Sequence, residues 1–416
     1  MNTNKTKIMS LISNNLVLIL FSVICIAEVI LAKQTAAYLV GEIVTRLFRN
    51  SILILSLLIP VWAGMGLNFS IVLGAMAAEI GLIFAKNFFI TGVLGIFVSF
   101  GISIPLAILF GYLTGRLFNL TKGQEMITGM ILGFFAKGLF DLVFMFLCGP
   151  VIPIKNKTLL LTNGIGLTTP ISLDVSSKSA INNIWLMPLN EFILIAIILV
   201  DIYLLVRIIL AKKKVLGKFE WQKQGLFFFS LAVTVLYFLF LAFSRKFFMV
   251  LNFTDIPVVT GLIILAVCLY ITYFSKTKIG SDINAVGQNR YVAASMGINV
   301  DKIRIKAVVI STVLAALGQI IFIQEIGNFA TYNAHENVGT FAIAALLVGG
   351  ASINKATIRQ AFLGALLFHT MFIISPIAGM KLFGNAQMGE YFRVFACYAV
   401  ITIALVMHSV SNKKAS

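Results

Sequence analysis

The sequence predicts an all-α, polytopic transmembrane helical bundle, and three observations support that prediction. Of the 416 residues, 60% are hydrophobic and only 11% are charged, and the mean hydropathy is +1.01. Apolar runs near the length of a bilayer crossing, about 20 residues, recur along the chain. Lysine and arginine collect between these runs, as in loops that set membrane orientation. We expect one transmembrane domain, residues 1–416, with about 10 to 12 membrane segments, including short broken or re-entrant helices.

Charge, cysteine and histidine usage argue against several classes of protein. The formal net charge is +17, but the basic residues form no single patch, so nucleic-acid binding is not indicated. The four cysteines, all within apolar runs and without metal-ligand spacing, are Cys25, Cys148, Cys268 and Cys397. The three histidines are dispersed, and we interpret His369 as a hydrogen-bonded core residue. No G-x-x-x-x-G-K-[ST] phosphate loop occurs. The sequence therefore predicts no metal, cofactor or catalytic residue.

The amino-terminal region predicts a first span with its amino end inside. An apolar run over residues 11–31 follows Lys5 and Lys7, and it is too long for the core of a signal peptide. Residues 41–50 place their apolar side chains at helical spacing. They form either an interfacial helix at the outer face or the start of the next span.

Two short apolar segments follow, residues 51–65 and 69–85. Each is near or below the roughly 20 residues that a crossing needs, so we expect one or both to be broken or re-entrant. Such backbone is tolerated at membrane depth only where it is buried in protein or lines a cavity. Residues 66–78 are therefore a candidate for a translocation path, and a tight turn at the membrane surface is the alternative.

Four polar residues in or beside apolar segments are candidates for contact with a polar solute. They are Asn68, Ser70, Gln319 and Gln324. Polar residues at this depth also serve helix–helix contacts, which is the alternative for each of them.

Two charged residues share one face of the predicted span over residues 125–148. Lys137 and Asp141 are four residues apart, and a lone charge at mid-membrane costs about 2.5–3.5 kcal/mol. We therefore expect a structural membrane pair. A role in transport is the alternative.

The loops define a consistent orientation. Residues 114–124 form a short inside loop, and residues 149–188, rich in turn-forming residues, form the largest external loop. The lysine cluster over residues 212–223 lies inside, after a span over 191–210. Lys413 and Lys414 keep the carboxyl end inside, so both termini are predicted to be cytoplasmic.

One long polar segment, residues 275–306, interrupts the second half of the chain. Residues 290–296 predict a short helix with two small alanines at its centre. Gly297 is placed to end this helix in the left-handed conformation, and Asn299 to cap the next one. Small side chains allow close approach, so the short helix suits docking into a groove of a partner. An ordinary solvated loop is the alternative.

Part of this segment, AVGQNRYVAASMGINV over residues 285–300, resembles the cytoplasmic coupling loop of ABC importer permeases. The permeases concerned are those of the ribose, nucleoside and branched-chain amino acid type. In that family the loop contacts the ATPase subunit. The resemblance assigns ATPase coupling to Ala285, Gly287, Asn289, Ala293, Ala294, Gly297 and Ile298.

Three further stretches resemble the same family. Residues 66–78, GLNFSIVLGAMAA, are similar to its G-I-D-L-S-V-G segment, with Asn68 where an aspartate is usual and Gly74 displaced by two positions. Residues 339–352, GTFAIAALLVGGAS, are similar to its A-I-A-A-x-x-x-G-G-x-S segment. Residues 115–139 resemble the corresponding stretch of nucleoside-type permeases.

The resemblance implies the permease subunit of an ATP-driven importer in the plasma membrane, and not an enzyme. It would translocate a small polar solute, a sugar or a nucleoside. The implied partners are a separate ATP-binding cassette subunit, a second permease copy or paralogue, an external substrate-binding protein and the lipid bilayer. The alternative is an ion-coupled secondary transporter, for which Glu79 and Asp141 would be the carboxylates of interest. Nothing positively supports a membrane enzyme or scaffold.

Overall fold

The computed structural model describes residues 16–212, 225–243 and 245–415. Helices dominate these ranges and strands are few and short, so the predicted all-α polytopic fold is confirmed. The predicted inside lysines that lie outside the described residues are Lys5, Lys7, Lys213, Lys214, Lys218 and Lys223.

Six helices make up the amino-terminal half of the described residues. They are α1 (Leu16–Ala32), α2 (Ala36–Leu55), α3 (Leu58–Trp62), α4 (Ile71–Asn87), α5 (Gly92–Leu120) and α6 (Glu125–Leu142). A π-helical turn, Val143–Leu147, extends α6.

The remaining helices follow an irregular segment. They are α7 (Leu189–Lys212), α8 (Gly225–Phe243), α9 (Arg245–Asn252), α10 (Val258–Phe274), α11 (Lys278–Gln288), α12 (Arg290–Ser295), α13 (Val300–Ile326), α14 (Val338–Val348), α15 (Ile358–Phe383) and α16 (Ala386–Ala415).

Six helices of the described part are long and apolar enough to cross a bilayer. The number is seven if α10 and α11, which meet at a bend of 71°, form one span. Some of the 10 to 12 expected segments are helices too short to cross alone. Examples are α4, with 17 residues, and α14, with 11. Many large apolar side chains on α5, α6, α7 and α10 are exposed, as is expected of surfaces that face lipid.

The lengths of α2 and α5 bear on two expectations from the sequence. Residues 41–50 lie within α2, part of a helical stretch long and apolar enough to cross a bilayer, which favours the start of a span over a separate interfacial helix. The expected inside loop over residues 114–124 is wrong in its extent, because α5 continues to Leu120. Near this end, Nδ2 of Asn119 donates a hydrogen bond to the carbonyl of Asp301 at 2.9 Å.

α13 lies at the centre of the bundle and packs along α2, α4 and α5. Glycines bring the backbones together: a Cβ added to Gly111 or Gly115 of α5 would lie 2.8 Å from the Cα of Val309 or Ile305 of α13. Close approach through small residues is the usual basis of helix packing in membranes, where apolar burial gives little driving force.

The segment between α6 and α7 is irregular, as expected of residues 149–188, but it packs onto the helices. Its strand β1 (Ile171–Ser172) pairs antiparallel with β4 (Asn328–Phe329), which follows α13. Its strand β2 (Leu186–Pro188) pairs antiparallel with β3 (Asp255–Pro257), which precedes α10. These two ladders tie the segment to the ends of α10 and α13.

Candidate functional site

The polar segment forms two helices and a sharp turn. The side-chain oxygen of Asn289 accepts hydrogen bonds from the backbone N–H groups of Tyr291 and Val292, which starts α12. Gly297 ends it with φ of +83°, a conformation that glycine adopts without steric cost. The side chain of Asn299 then accepts from the N–H of Lys302 at 3.0 Å and caps α13. The predicted short helix, left-handed glycine and asparagine cap are therefore confirmed.

Backbone contact fixes this segment to the membrane helices. A Cβ on Gly287, near the end of α11, would collide with the carbonyl oxygen of Trp62 at the end of α3. A Cβ on Gly64 would lie 2.9 Å from the Cα of Gly287. Trp62 is held in turn, because its Nε1 donates to the carbonyl of Ala356 at 2.8 Å. Only glycine allows α11 to lie this close to the turn after α3.

The short helix α12 carries apolar side chains that are exposed on the surface of the protein. We use the name α12 apolar surface for the exposed residues Tyr291, Val292, Ala294 and Met296. The side chains of Tyr291 and Met296 are 73% and 72% exposed. Exposed apolar groups on a segment rich in charged residues are typical of a protein-binding surface.

The seven residues that the resemblance assigns to ATPase coupling differ in their exposure. Ala293 is 1% exposed and belongs to the hydrophobic core of the chain, whereas Ala294 is exposed. Ala285 and Ile298 are partly buried against the same core. The buried residues among them hold the segment against the core. Gly287, Asn289 and Gly297 set its backbone through close packing, a helix cap and a turn. Ala294 alone of the seven belongs to the α12 apolar surface.

A buried ion pair that sequence reasoning missed supports the first turns of α13. Arg304 of α13 pairs with Glu125, the first residue of α6, and both side chains are buried. Nη2 of Arg304 also donates to the carbonyl of Phe118 at 3.2 Å. Beside it, Lys122 pairs with Asp301 at 2.7 Å. No local spacing relates these residues, so only the fold brings them together.

The four candidate solute contacts are all buried and engaged with protein. Asn68 donates to the hydroxyl of Ser311 at 3.3 Å and accepts from the backbone N–H of Ser70. Gln324 donates to Asn182 at 2.9 Å, which links α13 to the irregular segment. Gln319 donates to the carbonyl of Ala334 at 3.4 Å. These contacts join elements of the fold, and Asn68 with Ser70 lies apart from the two glutamines.

A second buried polar contact that the sequence did not predict joins α4 to the loop after β4. Glu79 of α4 and His335 of the loop after β4 are fully buried, with Nδ1 of His335 2.9 Å from Oε2 of Glu79. The ring of Phe140 packs against His335, with 4.9 Å between centroids. Within the described part, Oε1 of Glu79 and Nε2 of His335 have no hydrogen-bond partner. No local pattern relates the two residues, because 256 positions separate them in the sequence.

Two expectations on charged or titratable residues have different outcomes. Lys137 and Asp141 form the predicted pair, with Nζ 3.1 Å from Oδ2, so the pairing is confirmed. His369 is buried as expected, but neither ring nitrogen has a hydrogen-bond partner among the described residues. The interpretation of His369 as a hydrogen-bonded core residue is therefore wrong. Its neighbours are the rings of Phe368 and Phe372, which cannot accept in the manner of a carbonyl.

The bundle of long apolar helices is that of a multi-pass membrane protein. Residues 34–405 match the family model described as branched-chain amino acid transport system / permease component. Since this match covers most of the 416 residues, the chain belongs to that family of ABC transporter permeases.

Curated relatives match over shorter stretches. The probable ABC transporter permease YphD of Escherichia coli is 27% identical over 166 residues, 40% of this chain and 48% of its own. The autoinducer 2 import system permease LsrC of Klebsiella pneumoniae is 37% identical over 93 residues, 22% of this chain and 27% of its own. The nucleoside ABC transporter permease NupC of Lactococcus lactis is 28% identical over 155 residues, 37% of this chain and 46% of its own.

The chain therefore aligns with about a quarter to a half of the length of these relatives. No solved structure matches it.

Proposed function

We propose that the chain is the membrane subunit of an ATP-driven importer that passes a small polar solute, a sugar or a nucleoside, inward across the plasma membrane. The observation that carries this proposal is the α12 apolar surface. Its exposed side chains stand on a segment whose backbone is fixed by the contact between Gly287 and Trp62. A partner subunit that hydrolyses ATP would bind there.

The connection from α12 to the membrane supports a coupling role. Only Met296, Gly297, Ile298 and Asn299 separate α12 from α13, and Asn299 caps α13 directly. α13 has 27 residues, which corresponds to about 40 Å at 1.5 Å per residue. A displacement of α12 would therefore move one rigid helix that reaches the opposite end of the bundle.

The opposite end offers a surface for a substrate-binding protein. In this proposal residues 149–188 form the external loop, residues 275–306 form the cytoplasmic coupling loop, and both termini are cytoplasmic. The external loop exposes apolar side chains, including Val151, Val175 and Trp185. A second copy of the permease, or a related permease, completes the translocation path.

The names of two relatives support the solute class. One relative belongs to an autoinducer 2 import system and another is a nucleoside ABC transporter permease. Autoinducer 2 and nucleosides are the solutes of those proteins. We extend to this chain only the class of small polar solutes that they share.

One observation favours a second candidate function, an ion-coupled secondary transporter. The buried contact between Glu79 and His335 leaves one atom of each side chain unpaired. Intramembrane ionisable residues of this kind commonly mark ion or proton pathways. This candidate requires uptake to continue without any ATPase subunit.

Replacement of Ala294 by arginine tests the first proposal. A bulky charge on the α12 apolar surface would hold a partner away, so A294R should reduce ATPase binding and solute-stimulated ATP hydrolysis at least tenfold. The variant should insert normally, because Ala294 is exposed. Ser281→Arg is the matched control, since Ser281 is an exposed small residue of the neighbouring helix α11. Normal ATP-driven uptake by A294R, or uptake in the absence of the ATPase, would contradict the proposal.

A further inference from the structure

A cavity of about 320 Å³ lies at the carboxyl-terminal end of α13. Its walls come from α2, α13, α14, α15 and the loop over residues 327–337. Pockets for small molecules have volumes of about 300–1,000 Å³ and combine apolar walls with a few polar groups. This cavity has both properties, and none of Asn68, Ser70, Gln319 and Gln324 lines it.

Five polar side chains line the cavity. They are Asn50, Asn328, Asn333, Asn337 and His369. Asn328, Asn333 and Asn337 are exposed, so their side-chain amides are accessible to a solute. Asn50 donates through Nδ2 to the carbonyl of Arg46 at 2.9 Å, which leaves its Oδ1 available. Each amide offers an acceptor and donors, so together they can serve several hydroxyl groups.

His369 is the buried member of this set. Only 7% of the residue is exposed, and neither ring nitrogen has a hydrogen-bond partner in the described part of the chain. A buried polar group without a partner destabilises a fold, so its retention calls for another explanation. The cavity that His369 lines can hold the missing partner.

The side chains in and around the cavity favour neutral solutes over ionic ones. No Asp, Glu, Lys or Arg side chain occurs among the described lining residues. The nearby guanidinium groups are already paired, Arg49 with Glu325 at 2.7 Å and Arg46 with Glu42 at 3.5 Å. A solute carboxylate would have to compete with Glu42 and Glu325 for these guanidinium groups, whereas neutral hydroxyls match the amides. The ring of Phe341 adds apolar surface of the kind that covers the carbon face of a sugar.

We propose that this cavity is a binding site for an uncharged, polyhydroxylated solute, a sugar or the sugar part of a nucleoside, held by Asn333, Asn337 and His369. The proposal rests on the transport function proposed above and names the place and chemistry of solute contact. It assigns the contact to residues that no sequence motif of this chain identifies.

Thermal unfolding of the purified full-length permease in detergent tests binding without any ATPase. The probes are D-ribose, uridine and L-leucine, each at millimolar concentration. A ligand that binds only the folded state raises Tm, and we expect ribose or uridine to raise it by about 2 °C or more. Leucine should give no shift. The arms with ribose and uridine distinguish a free sugar from a nucleoside.

Two variants separate binding from folding. His369→Phe removes the unpartnered nitrogens and keeps an aromatic ring beside Phe368 and Phe372, so it should raise Tm without solute and abolish the shift with solute. Asn337→Leu, at an exposed position, should fold normally and also abolish the shift. The control Asn163→Leu, in an exposed turn of the external loop, should keep it.

Three results would overturn the proposal: no shift of the unmodified protein with either ribose or uridine, a shift with leucine alone, or a full shift retained by both H369F and N337L. A failure of the proposed transport function gives a different pattern. In that case ribose or uridine still stabilises the permease, while uptake shows no dependence on an ATPase.

Discussion

Two ion pairs of α6 illustrate which contacts a sequence reveals. Glu125 at the start of α6 pairs with Arg304 of α13, and their side chains are only 10% and 4% exposed. About three turns later, Lys137 and Asp141 pair within the same helix, with 24% and 29% of their side chains exposed. The local pair follows from four-residue spacing. The pair of Glu125 with Arg304 joins two helices and has no sequence signature. It is nevertheless the more deeply buried of the two pairs.

The largest effect is expected from breaking the pair between helices. Arg304→Met leaves the carboxylate of Glu125 buried without its partner, which costs about 3–5 kcal/mol for pairs of this kind. We expect a steep loss of folded protein in detergent, measured by fluorescence-detected size-exclusion chromatography. Arg304→Met combined with Glu125→Met should recover much of the yield. Normal folding of Arg304→Met alone would show that the pair does not hold α6 to α13.

A smaller effect is expected from the pair within α6. Lys137→Met or Asp141→Leu leaves one charge on a membrane helix, at a cost of no more than about 2.5–3.5 kcal/mol. Partial exposure of both side chains reduces that cost further. Each single change should lower the folded yield less than Arg304→Met does, and the double change should restore it. A double variant that folds well and loses uptake would assign the pair to transport.

The local structure of the polar segment, residues 275–306, was predictable because its determinants are local. The cap at Asn289, the turn at Gly297 and the cap at Asn299 each depend on residues within a few positions. The inward direction of Ala293 was not predictable, because it follows from packing against the bundle. Of the two alanines expected to dock, only Ala294 is exposed, and its contact with a partner stays a prediction.

The cavity at the end of α13 was not predictable, because its lining comes from five separate parts of the chain. Asn50 of α2 and His369 of α15 are more than 300 positions apart, and each alone resembles an ordinary polar residue in an apolar helix. The buried contact of Glu79 with His335 was missed for the same reason. Sequence reasoning therefore favoured Asn68 and Gln324, whose amides prove to be engaged in contacts within the fold.

The central claim, that the α12 apolar surface binds a separate ATP-hydrolysing subunit on the cytoplasmic side, is tested most directly by site-specific photo-crosslinking in intact cells. A photoreactive amino acid at Met296, 72% exposed, is compared with one at Val175 of the external loop, 94% exposed. We predict that Met296 crosslinks to the ATPase subunit and that Val175 does not. Crosslinking of the ATPase from Val175, or its absence at Met296 when the ATPase is present, would contradict the account.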